Sequence, residues 1–218
     1  MHSTLRYSFR QRSTLPGFTA LAVLMLALAM SGCTLVTDYQ IAEGAKMQRS
    51  YRSIAGSVHI GRDAAIHRAK TIAGSIHVNN GATTRSLSSV AGEIRIGESV
   101  NVDDDVSTIA GNIRIDARTR VTGEVTSIAG AMELSGCRVE GLVRVTKSSL
   151  STRDATRLPG GIFVRHASSG DDKPVTRIDL GPGADVASIN VEPDTTVDVR
   201  ISREAHVGKV TGTTPTYY

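Results

Sequence analysis

The sequence predicts an all-β protein: a single right-handed parallel β-helix, or β-solenoid, with 18–19-residue coils, preceded by a signal peptide. Three observations predict it. One phrase is written five times, as "SIAGSVHIG" from Ser53, "TIAGSIHV" from Thr71, "SVAGEIRIG" from Ser89, "TIAGNIRI" from Thr108 and "SIAGAMEL" from Ser127. The starts are 18, 18, 19 and 19 residues apart. The apolar residues alternate and are mostly β-branched, which suits strands with one buried face. Short strands could equally build a sandwich or a barrel. A near-constant step separates these cases, because it returns the same residue type to the same place once per coil. Successive coils would then stack at the roughly 4.8 Å spacing of neighbouring strands. The right hand follows from the general preference of parallel crossovers.

The elements follow in chain order. Residues 1–32 read as a leader: Arg6, Arg10 and Arg12 give a positive start without acids, then residues 17–30, "GFTALAVLMLALAM", are apolar. That run is short for a membrane span, which needs about 20 residues, and fits a secretory signal. The segment ends "AMSGC". Ser31 and Gly32 directly before Cys33, with Met30 where leucine is usual, resemble a bacterial lipoprotein lipobox. The resemblance implies that Cys33 carries diacylglycerol and becomes an acylated N-terminus, palmitate being the usual kind of chain. Such acyl chains hold a protein on a membrane. Thr34, rather than an aspartate, follows the cysteine, which in that family resembles sorting to the outer membrane.

Removing the leader takes three arginines and no acids, so the formal charge of +4 falls to +1. The basic pI is largely a property of the leader and gives no reason to expect nucleic-acid binding. With Cys33 lipidated, Cys137 is alone and reads as a small buried filler. The remaining 186 residues suffice for one domain, and they contain no tryptophan. A thin aliphatic core needs few rings.

Residues 33–52 are expected to form a tether and N-terminal cap, covering an otherwise unpaired first edge. Residues 53–146 are the regular coils. Three columns are predicted there. Ile54, Ile72, Val90, Ile109 and Ile128 form one internal column, and Val58, Ile76, Ile94, Ile113 and Met132 another. Gly56, Gly74, Gly92, Gly111 and Gly130 form a third, at a bend or close backbone approach. Residues 147–212 read as degenerate coils: "LPGG", "SSGDDKP", "GPGAD" and "EPD" are turn signals between short alternating runs. Residues 213–218 are a tail.

The repeated "(S/T)IAGxIxI" resembles the coils of adhesin-like β-solenoids of bacterial envelopes, which carry a "(T/S)xSGxIxV" pattern. It is more distantly similar to the polymer-forming bactofilins. Alanine stands at 55, 73, 91, 110 and 129, where the adhesin pattern has a second serine. The resemblance covers about residues 53–145 and brings no catalytic residues with it.

Candidate chemistry lies at the outward position between the paired apolar residues. Stacked coils would make His59, His77, Arg95, Arg114 and Glu133 a surface ladder with neighbours roughly 5 Å apart. It could meet an anionic surface, and its two histidines could charge below about pH 6.5. Two histidines without a further ligand make a poor metal site, so no metal is expected. Asp103, Asp104 and Asp105 could hold calcium only if a turn made them converge; a charged corner is the simpler reading. The nucleophile elbow, the dinucleotide fingerprint and the P-loop are absent from the sequence. Parallel β-helices include polysaccharide-active enzymes, and Asp103, Asp105, Asp116 and Glu124 are the acids such a site would draw on.

The sequence therefore leads us to expect a non-catalytic lipoprotein without a cofactor, lipid-anchored at the outer membrane. Its role would be structural or adhesive at the cell envelope. Its partners would be the membrane, through the N-terminal lipid, and an envelope polysaccharide, an envelope protein or its own copies, but no nucleic acid. A self-assembling scaffold and a polysaccharide-active enzyme are the alternatives.

Overall fold

A computed structural model describes residues 37–166 and 176–218; the leader, Cys33 and the "SSGDDKP" turn lie outside the described residues. Every strand pairing among these residues is parallel, and none of them is helical. The chain is a β-solenoid. A regular coil has three short strands, as in Ile94–Ile96, Asn101–Val102 and Val106–Ala110, so three stacks enclose one core.

Register on the first face follows the repeat. Val58, Ile76, Ile94, Ile113, Met132, Leu150, Ile178 and Val199 stack in turn. Tyr39–Ile41 precedes them and Thr216–Tyr217 follows, which makes nine steps in all. At roughly 4.8 Å per step the stack is roughly 43 Å long. On another face the column runs Tyr51, Ala69, Leu87, Val106, Val125, Val143, Ile162, Ile189 and Val210. From Leu150 to Ile178 the step widens to 28 residues, and to Val199 it is 21.

The strands turn alternate side chains inward, two in the three-residue strands of the first face, and those columns are the core. Its largest fully buried members are Ile, Leu and Met side chains such as Ile94, Ile113, Met132 and Leu150. No aromatic ring is among the core residues: Tyr39 and Tyr51 meet edge to face at the N-terminal end, 5.2 Å between centroids, and Phe163 stands in an outward column between Arg144 and Asn190.

One predicted column is on the wrong side. Ile54, Ile72, Ile109 and Ile128 are 48, 45, 47 and 41 % exposed, and Val90 is half-buried. The residue before each of them points inward: Ser53, Thr71, Ser89, Thr108 and Ser127 are all buried. The cause is a corner. Val58 and Ser53 are both inward yet five residues apart, so strand alternation does not carry across.

The Ser53, Thr71 and Ser89 hydroxyls serve that corner, whereas Thr108 Oγ1 has no partner and Ser127 Oγ meets Ser148 Oγ at 3.0 Å. Ser53 Oγ accepts from Gly56 N at 2.8 Å and donates to the Thr37 carbonyl at 3.0 Å. Thr71 Oγ1 donates to the Gly74 carbonyl at 2.7 Å and lies 3.1 Å from Ser89 Oγ. These bonds satisfy backbone groups that the bend removes from the strand ladder. The glycines that follow stack on one another, each against the carbonyl of the glycine one coil earlier. From Val145 onward the inner column is apolar, with Val164 and Val191 taking over.

Thr84 breaks the pattern on the second face. It is buried between Ile66 and Val102 in register, and its Oγ1 has no partner. Thr84→Val keeps the shape and removes an unsatisfied hydroxyl. It is expected to stabilise the fold by about 1 kcal/mol, read as a raised urea midpoint with unchanged slope.

Candidate functional site

The outward ladder forms on the first face. Gln40, His59, His77, Arg95, Arg114 and Glu133 are paired in register, with Ser151, Asp179 and Arg200 continuing it. Inward neighbours on both sides of each residue hold its backbone, so the side chains project at the interstrand spacing.

The ladder is not a free basic stripe. Arg95 Nη2 donates to both carboxylate oxygens of Glu93, at 3.0 and 3.1 Å. Arg114 reaches Glu133 at 2.8 and 3.0 Å, and Arg200 reaches Asp198 at 3.2 Å. Other faces repeat this: Arg120 and Arg138 share Glu140, Arg144 pairs with Glu124, and Arg118 pairs with Glu98. Exposed pairs of this kind contribute only about 0.2–1 kcal/mol each. Their larger effect is to cancel the field that would draw an anionic partner to these arginines.

His59 and His77 remain. Their rings stack face to face, 4.9 Å between centroids and 5° from parallel. Parallel stacked rings aim their in-plane nitrogen lone pairs side by side. A metal needs lone pairs converging on one point, about 2.0–2.1 Å from each nitrogen. Among the described residues no group of three or more His, Cys, Asp and Glu is placed to hold a metal ion.

His77 makes the ladder acid-sensitive. Burial lowers the pKa of His77 below its ordinary 6.5, and the neighbouring His59 and Arg95 charges lower it further, against Glu93. A group whose native pKa is depressed binds its proton more readily in the unfolded chain. Stability is therefore expected to fall as pH drops through 6.5, levelling only below the lowered native value. Urea midpoints at pH 7.5 and 5 would show it, and His77→Gln should flatten that difference. An unchanged pH response in His77→Gln would refute the assignment.

The acids do not converge. Asp103 to Asp105 form a corner between the second and third faces. Asp105 Oδ1 accepts from Glu124 N at 2.8 Å, and Asp104 lies 3.6 Å from Arg85. Asp116 belongs to a different corner, directly after Ile113–Ile115. Asp103 and Arg85 border a groove of about 410 Å³ that also touches Lys46, Met47 and His67. Cys137 is 2 % exposed, and burial pushes its thiol up to about 12, which keeps it protonated and inert.

Sequence reasoning missed the exposed corner itself. Five stacked pairs, Ile54–Ala55, Ile72–Ala73, Val90–Ala91, Ile109–Ala110 and Ile128–Ala129, make a continuous apolar edge along the regular coils. The signal was the odd spacing from the hydroxyl residue to the first core residue. No protein-family model, no curated protein and no solved structure matches the chain.

Proposed function

We propose that this protein is a non-catalytic, lipid-anchored β-solenoid of the bacterial cell envelope, held at the outer membrane through Cys33, with a structural or adhesive role. One observation carries the reading. The residues that repeat from coil to coil are buried or turn corners, while the outward residues change from coil to coil and largely pair with one another. Such a chain is organised to make a stiff stack of set length rather than a pocket. The leader pattern and the "AMSGC" junction supply the anchor. The "(S/T)IAGxIxI" coils supply the likeness to adhesin-like envelope solenoids.

Cys33→Ala tests the anchor. The substituted protein is expected to leave the membrane fraction and to lose incorporated palmitate. Retention in the membrane at the unsubstituted level would overturn the lipid anchor.

A further inference from the structure

The isoleucine corner calls for an occupant. Four side chains that would ordinarily be buried stand nearly half exposed in one column, with alanines beside them. Nothing in the coil requires isoleucine there, since the bend is held by the hydroxyl, the glycine and the backbone. Scattered exposed apolar residues are normal, but a continuous edge is informative.

We propose that this corner is a membrane-contacting edge, so that the solenoid lies along the lipid surface instead of standing away from it. The proposal rests on Cys33 being the acylated anchor. Three observations select lipid as the occupant.

The first is where the chain enters. Ser53 Oγ bonds to the carbonyl of Thr37, and a side chain on Gly56 would meet that same carbonyl. Thr37 is therefore the rung before Gly56 in the corner stack. Cys33 is four residues upstream, at most about 14 Å of extended chain. A lipid on Cys33 would therefore be tethered within that distance of the first rung of the corner stack.

The second is size. Five rungs span roughly 20 Å, and one isoleucine with one alanine takes roughly 7 Å of chain, so the edge covers on the order of 140 Å². A stable protein interface needs about 800 Å² from each partner. A tethered surface needs far less, because the anchor already keeps the edge at high local concentration beside it.

The third is charge. Two columns border the edge: Arg52, Lys70, Ser88, Ser107 and Thr126 on one side, and Ser57, Ser75, Glu93, Asn112 and Ala131 on the other. Glu93 is held by Arg95. Asp38 continues the second column one rung before Ser57, whose backbone N–H it accepts, so Arg52 and Lys70 face one acid and the balance at that end is a single positive charge. Apolar residues flanked by cations and small polar residues match the boundary between acyl chains and anionic headgroups.

The test uses the full acylated chain in phosphatidylethanolamine–phosphatidylglycerol vesicles that contain brominated lipid. An environment-sensitive fluorophore is attached at Ile109→Cys, at Ile72→Cys, and at Arg157→Cys on another face as reference. Buried Cys137 stays unlabelled, which the unsubstituted chain controls. Both corner labels are expected to shift to the blue and to be quenched at least twofold more than the Arg157 label. Equal quenching at all three sites, in protein that floats with the vesicles, overturns the membrane edge and leaves the anchor standing. Protein that does not float overturns the anchor and this proposal with it. Unquenched corner labels with an Ile109→Cys disulfide between copies would assign the edge to a second copy and overturn the proposal.

Discussion

Gly111→Ala is expected to destabilise the solenoid by about 3 kcal/mol or more, and to do so from a residue that makes no side-chain contact. A methyl group at Gly111 would overlap the carbonyl of Gly92 one coil below and crowd Thr108 Oγ1. A flexible side chain could move aside; a backbone carbonyl in a stacked coil cannot. Ala91 N donates to Ile72 O at 2.7 Å, and Ala110 N donates to Val90 O at 2.7 Å. Gly111 N donates to Ala129 O at 3.0 Å. Relieving the overlap means parting the coils of Gly92 and Gly111, which lengthens the Ala110–Val90 bond together with the bond from Ile94 N to Asn112 O at 2.8 Å. Gly92 against Gly74, and Gly130 against Gly111, repeat the geometry, so Gly92→Ala should behave alike. Ala110→Ser is exposed and adjacent, and is expected to stay within about 0.5 kcal/mol. Urea midpoints followed by circular dichroism would distinguish them. A Gly111→Ala protein as stable as Ala110→Ser would mean that the coils are not stacked in this register.

That register is also the reason so much of the fold was legible. In a solenoid, a residue's neighbour is its own counterpart one coil on, so the step in the sequence is the step in space. Counting 18 or 19 residues from Val58 leads to Ile76, Ile94, Ile113 and Met132, which the structure stacks with none more than 1 % exposed. The same count gave the glycine stack and the outward ladder from His59 to Glu133.

The count says nothing about which way a residue faces beyond a bend. Alternation holds within a strand, and each coil has three bends. Inward residues are five apart from Ser53 to Val58, four from Ile60 to Ala64 and three from Ile66 to Ala69. Odd gaps invert parity, so carrying alternation through the first bend turned Ile54 inward. Arg114's partner, Glu133, was already in the predicted ladder, whereas Arg95's partner, Glu93, precedes the strand at the bend. Beyond Leu150 the step widens and no longer reports the stack.

The sharpest check compares two isoleucines four residues apart in one copy of the motif. Ile113 is fully buried, stacked between Ile94 and Met132. Ile113→Ala removes methyl groups from a column whose neighbours are fixed by interstrand hydrogen bonds, so the cavity cannot close. A loss of about 3–4 kcal/mol is expected, within the range for buried large-to-small changes. Ile109 is 47 % exposed, and Ile109→Ala is expected to cost no more than about 0.5 kcal/mol. A straight-strand reading of the motif makes both residues core and predicts similar losses. Equal urea midpoints for the two variants would return Ile109 to the interior and remove the apolar edge. A wide gap between them fixes isoleucine on the surface at a position where the fold has no use for it. A residue of that kind, repeated along one edge of the regular coils, is the physical basis for proposing that this edge meets a membrane.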